Sequence, residues 1–216
     1  MSEDLVQKRQ NVTLVDHPLI RVKLTQLRDK ETSPMEFRAI LQQLAGLMLF
    51  EVTRSLETKS VMVETPLMME AQGHTIGKPI VIVPILRAGL GLVDGMLWML
   101  PEAKIGHIGM YRNEATLQPQ HYYAKLPELK GATVLLLDPM LATGSSSVAA
   151  VSELKQHGAE AIIFVCLLSC KPGINRLQMA HPEIPIYTTA IDDGLNDKGY
   201  IYPGLGDAGD RYFGTI

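Results

Sequence analysis

The chain has 216 residues, 46% of them hydrophobic and 20% charged, with a formal net charge of −3 at pH 7. That length suits one sizeable domain with its own core, and the slightly acidic balance excludes a general electrostatic grip on nucleic acid or acidic lipid. Apolar runs such as AIIFVCLLS (161–169) fall far short of the ~20 residues a membrane span needs, and the polar opening MSEDLVQKRQ carries no apolar signal core.

In chain order, TSPMEFRAILQQLAGLMLFEVTRSL begins with Ser33, Pro34 and Glu36, a capping box with proline at the first helical position. A helical apolar pattern follows and predicts a long helix to about Leu56. KPIVIVPIL (78–86) predicts a buried strand, GLGLVDGMLWML (89–100) a helix and AKIGHIGMY (103–111) a second strand. ATVLLLD (132–138) reads as a buried strand, and SSSVAAVSELKQHG (145–158) as a helix stopped by Gly158. AEAIIFVCLLS (159–169) and IPIYTTAI (184–191) are further strands, with a short helix around PGINRLQMA (172–180) between them. Strands that are apolar throughout, alternating with helices, imply a parallel sheet covered on both faces. The expected fold is therefore α/β and doubly wound, with a mainly parallel sheet and helices on both faces. It forms one domain over 1–216, with an N-terminal helical arm over about 1–60 and an irregular C-terminal hood from about 192.

Cys166 and Cys170 are the only cysteines, and their i,i+4 spacing is neither a disulfide framework nor a redox pair, so reduced buried thiols and a cytoplasmic setting are expected. GHTIGKP (73–79) is one residue short of a P-loop and has proline where the magnesium-binding hydroxyl belongs. GLGDAG (204–209) lies too close to the C-terminus for a dinucleotide fold. The six histidines have no metal-ligand spacing, so no protein-built metal site is expected.

LLLDPMLATGSSSVAAV (135–151) has the right context for a ligand site, because ligands in such sheets bind where strand ends meet helix starts. Thr143 to Ser147 place small residues at a helix N-terminus, whose unpaired amides and dipole suit an anion. Thr143, Ser145, Ser146 and Ser147 offer hydroxyls, and with no lysine after the glycine the guest reads as a monophosphate. Asp138 at the strand end can accept from vicinal hydroxyls of a sugar. The competing reading is a plain capping turn. Arg87 and Arg112 both follow apolar strands and suit phosphate oxygens; structural salt bridging is their alternative. YRNEATLQPQHYYAKLP (111–127) suits a mobile loop closing over ligands, or an ordinary surface hairpin.

DPMLATGSSS (138–147) resembles the phosphoribosyl diphosphate (PRPP) motif of the type I phosphoribosyltransferases. The proline after a single acid is similar to the uracil phosphoribosyltransferases within them. VPILRAGLGLVDGM (83–96), MYRNEATLQP (110–119) and YIYPGLGDAGDRYFGT (200–215) agree in order, so the resemblance spans nearly the whole chain. It implies transfer of the 5-phosphoribosyl group from PRPP to uracil, giving UMP and diphosphate in pyrimidine salvage. It also implies that Asp138 holds the ribose hydroxyls, that Pro139, Met140, Leu141 and Ala142 bind PRPP as well, and that Thr143, Gly144, Ser145 and Ser146 clasp its 5′-phosphate. Arg87 and Arg112 would hold PRPP and its diphosphate, and Asp207 would lie near PRPP, its magnesium and the base. Ile201, Gly206 and Ala208 would read the uracil edge by backbone, and Arg112 with Asp207 are the catalytic candidates.

Magnesium would be bound mainly through the PRPP diphosphate, and a homodimer or higher homo-oligomer, with GTP as effector in some members, is implied too. A non-catalytic PRPP- or nucleotide-sensing regulator on the same fold is the alternative, and a phosphoribosyltransferase for another base a third. The C-terminal stretch 194–216 has six glycines in 23 residues along with several aromatics. That composition predicts an ordered but irregular hood rather than a regular helix. One departure stands out: the family usually has Gly-Gly-Ser after the threonine, whereas this chain has Gly144, Ser145 and Ser146. If position 145 needs a positive φ, serine is strained there.

Overall fold

The computed structural model describes residues 11–112 and 119–215, with side chains given for these except at 111, 112 and 119–121. β1 (Val12–Leu14) leads into α1 (Pro18–Arg28) and α2 (Pro34–Val52). The capping box at the start of α2 is formed: Ser33 Oγ accepts the Glu36 amide at 3.3 Å, and the Glu36 carboxylate accepts the Ser33 amide at 3.0 Å. The helix ends at Val52, short of the expected Leu56, where the Thr53 hydroxyl takes the Leu49 carbonyl at 2.7 Å. Ser33→Ala should lower the unfolding free energy by about 1 kcal/mol, read as a shifted urea midpoint with an unchanged m-value.

A hairpin of β2 (Thr58–Glu64) and β3 (Glu70–Ile76) follows, which the sequence pattern does not announce; GHTIGKP ends its second strand, and Lys78 pairs with Glu57. Next come β4 (Ile80–Leu86), α3 (Leu90–Leu97), β5 (Lys104–Ile105), β6 (His107–Arg112) and β7 (Pro119–Lys125). The expected mobile loop falls on the β6–β7 connection, and residues 113–118 lie outside the described residues; what is described is an antiparallel pair. The chain continues through β8 (Thr133–Leu137), β9 (Met140–Leu141), α4 (Ser145–Gln156), β10 (Ala161–Val165), β11 (Leu168–Cys170) and α5 (Lys171–Ala180). It closes with β12 (Ile186–Thr188), β13 (Ala190–Asp192), β14 (Gly194–Leu195), β15 (Ile201–Tyr202) and α6 (Ala208–Phe213).

The main sheet runs β1-β12-β10-β8-β4-β6-β7, with β5 also on β4, and every pairing except β6–β7 is parallel. Alternation along β4 shows how it is covered. Ile80 and Ile82 pack with Phe37, Leu41, Leu44 and Met48 of α2 on one face. Val81 and Val83 pack with Val151 and Leu154 of α4 and Leu177 of α5 on the other. Successive strand side chains point to opposite faces, so a strand buried on both sides reads as one unbroken apolar run. The doubly wound α/β reading holds.

Two expected strands, 159–169 and 184–191, are each broken in two. The Pro139 carbonyl accepts both the Leu167 and Leu168 amides at 3.0 Å, and the Leu167 carbonyl accepts both the Thr189 and Ala190 amides. One carbonyl serving two amides steps the ladder, so β9, β11 and β13 leave the main sheet and form a small parallel sheet of their own. No helix among the described residues is long and apolar enough to cross a membrane.

Candidate active site

β8 and β4 are neighbours in register, Leu137 being followed by Asp138 and Leu86 by Arg87, so both candidate residues emerge at the same carboxyl edge. Asp138 is half-buried, and its Oδ1 accepts the Met140 amide at 3.2 Å. Burial pushes its carboxyl up to about 7, against the smaller opposing pull of that amide. The Cys166 thiol is also buried and is pushed up to about 12, which makes it an inert packing group.

Beyond Asp138 the backbone runs through β9 into a turn whose geometry depends on two glycines. Gly144 has φ +75°, and a Cβ there would lie 2.8 Å from the Gly173 carbonyl oxygen. A Cβ on Gly173 would in turn lie 2.4 Å from the Leu141 oxygen and 2.5 Å from that of Ala142. The two backbones interlock, and the start of α4 is held open with its first amides free of intrahelical partners. Thr143 Oγ1 donates to Ser145 Oγ at 3.3 Å.

The positive φ falls on Gly144, whereas Ser145 opens α4 and is unstrained; Met68 is the one non-glycine with positive φ among the described residues. The concern over serine at 145 is thereby removed. Ser147 is a correction of another kind. It is 1% exposed and its hydroxyl has no hydrogen-bond partner among the described residues, so it faces the interior rather than an anion at the helix start.

Arg87 donates through Nη2 to Asp210 Oδ1 at 3.1 Å and stacks over Phe213 at 5.5 Å. The Thr215 hydroxyl, then Arg87, hold the Asp210 carboxyl below its usual range. Both partners are substantially exposed, 57% and 37%. A pair so open to water is weakly held and readily exchanged for a phosphate. Arg112 ends β6 opposite Pro119, and its side chain lies outside the described residues.

The C-terminal hood is ordered, as a two-stranded ladder of β14 and β15, a turn through Gly204 and Gly206, and then α6. A helix of six residues is more regularity than the glycine count suggested. Asp207 caps it by accepting the Asp210 amide at 2.9 Å, and Gly214 with φ +69° ends it. The Tyr200 hydroxyl reaches the other Asp207 oxygen at 3.4 Å. A Cβ on Gly209 would lie 3.3 Å from Asp207 Oδ1 and 4.0 Å from Arg87 Nη2, so this glycine sits between the acid and the arginine. Ile201 and Ala208 are buried in the same apolar cluster that Ala88 packs against, next to Arg87. The structure thus brings Arg87, Asp207, Gly206 and Ala208 together, and Asp138 with residues 139–146 forms the adjoining wall.

Sequence reasoning missed Asp210, although its spacing from the capping Asp207 was a signal. It also missed three arginines, Arg28 and Arg176 outside every quoted motif and Arg211 inside the C-terminal one without a role assigned to it. Arg28 pairs with Asp192 and Arg211 with the Leu27 and Leu205 carbonyls, both fastening the hood. Arg176 reaches Ser145. A groove of about 1220 Å³ lies elsewhere, among α1, α2 and α3, lined by Leu14, Ile20, Phe50 and Trp98. None of the anion- or sugar-holding candidates lines it, so its volume does not make it the substrate site.

Comparison with known proteins gives the family. The uracil phosphoribosyltransferase family model matches residues 14–215. Uracil phosphoribosyltransferase of Dictyoglomus thermophilum is 58% identical over 94% of this chain and 99% of its own, and that of Streptococcus mutans 54% over 94% and 97%. A solved structure of an Aquifex aeolicus protein superposes with TM-score 0.90 at 38% identity, covering 94% of this chain and 97% of that one. A hypoxanthine-guanine phosphoribosyltransferase from Bacillus anthracis, at 13% identity, TM-score 0.50 and coverage of 74% and 80%, shares the fold. With a family match across almost its full length and relatives above half identity, the chain belongs to the uracil phosphoribosyltransferase family, a family of pentosyltransferases.

Proposed function

We propose that this protein transfers the 5-phosphoribosyl group from PRPP to uracil, releasing UMP and diphosphate in pyrimidine salvage. The observation that carries this reading is the pairing of Asp138 with the glycine-interlocked start of α4, a sugar acceptor adjoining an anion cradle. The names of its relatives support the choice of base.

Displacement at the anomeric carbon through an oxocarbenium-like state needs little covalent help from the protein. Asp138 orients the ribose hydroxyls, and the α4 amides with Thr143, Ser145 and Ser146 fix the 5′-phosphate. Arg87, once it leaves Asp210, and Arg112 hold the departing diphosphate. Their contribution is electrostatic. Asp207, beside Arg87, would be the carboxylate that helps hold a magnesium ion arriving with the diphosphate, and that ion would supply further positive charge. One carboxylate fits an ion that takes most of its oxygens from substrate and water.

The backbone groups of Ile201, Gly206 and Ala208 read the uracil edge. Swapping a carbonyl for an amine, as in cytosine, would leave a buried donor or acceptor unpaired. Asp207 already accepts bonds on both oxygens, which suits a holding role more than proton abstraction. A homo-oligomer, at least a dimer, is supported by the open groove, where Trp98 and Phe50 are 85% and 65% exposed. The cytoplasmic setting rests on the two free, buried cysteines, and GTP as effector on the resemblance alone.

The test is incubation with PRPP, magnesium and each nucleobase in turn. UMP from uracil and no nucleotide from other bases is expected. No product with any base would favour the PRPP-sensing regulator, and a purine nucleotide would reassign the base.

A further inference from the structure

Resting on the reading of the α4 start as the 5′-phosphate cradle, we infer that Arg176 is a further ligand of that phosphate, supplied from α5. Arg176 Nη1 donates to Ser145 Oγ at 2.6 Å. Its side chain also starts against the turn, because a Cβ on Gly144 would lie 3.2 Å from Arg176 Cβ. The backbone sets this placement. Gly173, one turn earlier on α5, presses that helix onto the Leu141 and Ala142 carbonyls, so α5 cannot drift relative to the cradle.

The charge of Arg176 has no counter-ion among the described residues. Arg21, Arg28, Arg54 and Arg87 each have a carboxylate within 4.0 Å; Arg38 and Arg211 have none but are held by backbone carbonyls, whereas Arg176 meets only the Ser145 hydroxyl among the described residues. It is exposed and so can meet a ligand without rearrangement. An unpaired guanidinium over the first residue of an anion-binding helix is matched by a phosphate dianion, to which it presents a planar fork.

Ser145 completes the arrangement. Its oxygen accepts from Arg176 and from Thr143, which leaves its own O–H free to donate to the phosphate. Such a chain of donors polarises each bond in it. A glycine at 145, the residue the family resemblance leads one to expect, could not accept the guanidinium. Serine at 145 and arginine at 176 thus act as one unit.

The test uses the full-length enzyme with Arg176→Ala, and Arg176→Gln as a variant that keeps side-chain length. The dissociation constant of UMP by calorimetry and the KM for PRPP should each rise about tenfold, as expected for one charge-assisted phosphate contact at an exposed site. Inhibition by inorganic diphosphate, the KM for uracil and the thermal midpoint should stay at wild-type values, and the wild-type advantage should shrink as salt is raised. Wild-type UMP affinity in both variants overturns the inference while UMP formation by the wild type keeps the reading of the site. Equal losses for UMP and diphosphate would mean a merely structural role and overturn it too. If the wild type makes no UMP from PRPP and uracil, the reading itself falls and takes the inference with it.

Discussion

Asp138→Asn is expected to lower kcat/KM for PRPP while raising the thermal midpoint above pH 7. The loss follows from the charge. Two ribose hydroxyls donating to a carboxylate make charge-assisted bonds, and weakening both removes about 3 kcal/mol, roughly 100-fold in rate. The gain in stability follows from burial. In the unfolded chain the carboxyl titrates near its ordinary 3.8, and in the fold it is pushed up to about 7. Between those values the folded state holds a proton that the unfolded chain has released. Stability therefore falls as pH rises from about 4 to about 7, and above 7 the penalty of a charged, half-buried carboxylate is present in full.

Asparagine carries no charge, and its amide oxygen can still accept the Met140 amide. The advantage of the variant should be small at pH 4, grow through neutrality and level off above it. The same proton should weaken PRPP use by the wild type as pH drops below 7, because the neutral carboxyl is the poorer acceptor. Thermal melts at pH 5 and pH 8 with kinetics at each pH check both halves. Wild-type turnover by the variant, or a lower melting point at pH 8, would remove Asp138 from the role given to it.

The parts of this molecule that could be read from sequence are those where burial writes a pattern. β4, β8 and β10 are covered on both faces and appear as apolar runs, and α2 is marked by Ser33, Pro34 and Glu36. Asp138 and the Gly144 turn were legible because an acid ending a buried strand and small residues opening a helix are each unusual there. The β2–β3 hairpin was invisible for the opposite reason: every residue of Thr58–Glu64 is exposed or half-exposed, so no buried face imposes a period. The steps that split 159–169 and 184–191 come from carbonyls shared by two amides, a backbone event with no side-chain signature. Partnerships between distant residues were out of reach, since Arg28 and Asp192 meet across 164 positions.

That last pair carries the second large expectation: Arg28→Ala should destabilise the fold by about 3 kcal/mol and raise the KM for uracil far more than that for PRPP. Arg28 closes α1 and reaches the hood, with Nη1 2.7 Å from both Asp192 Oδ2 and the Gly204 carbonyl, and Nη2 2.6 Å from Asp192 Oδ1. Asp192 Oδ2 also accepts the Gly204 amide at 2.9 Å. Acid and arginine together pin both polar groups of the residue at the centre of the hood's turn, between Ile201 and Gly206. With the arginine gone, a carboxylate whose side chain is 6% exposed loses its counter-ion and the Gly204 carbonyl loses its donor. The PRPP wall is built from β8, β9 and α4, which Arg28 does not touch, so the kinetic damage should fall on the base. Arg28→Lys should recover part of the stability as a point charge without the fork. Combining Arg28→Met with Asp192→Asn should cost less than Arg28→Ala alone, because no unpaired charge remains. Urea unfolding and steady-state kinetics on the three variants give the comparison. An unchanged uracil KM in a destabilised Arg28→Ala enzyme would mean that Arg211, bonded to the Leu27 and Leu205 carbonyls, holds the hood in place by itself.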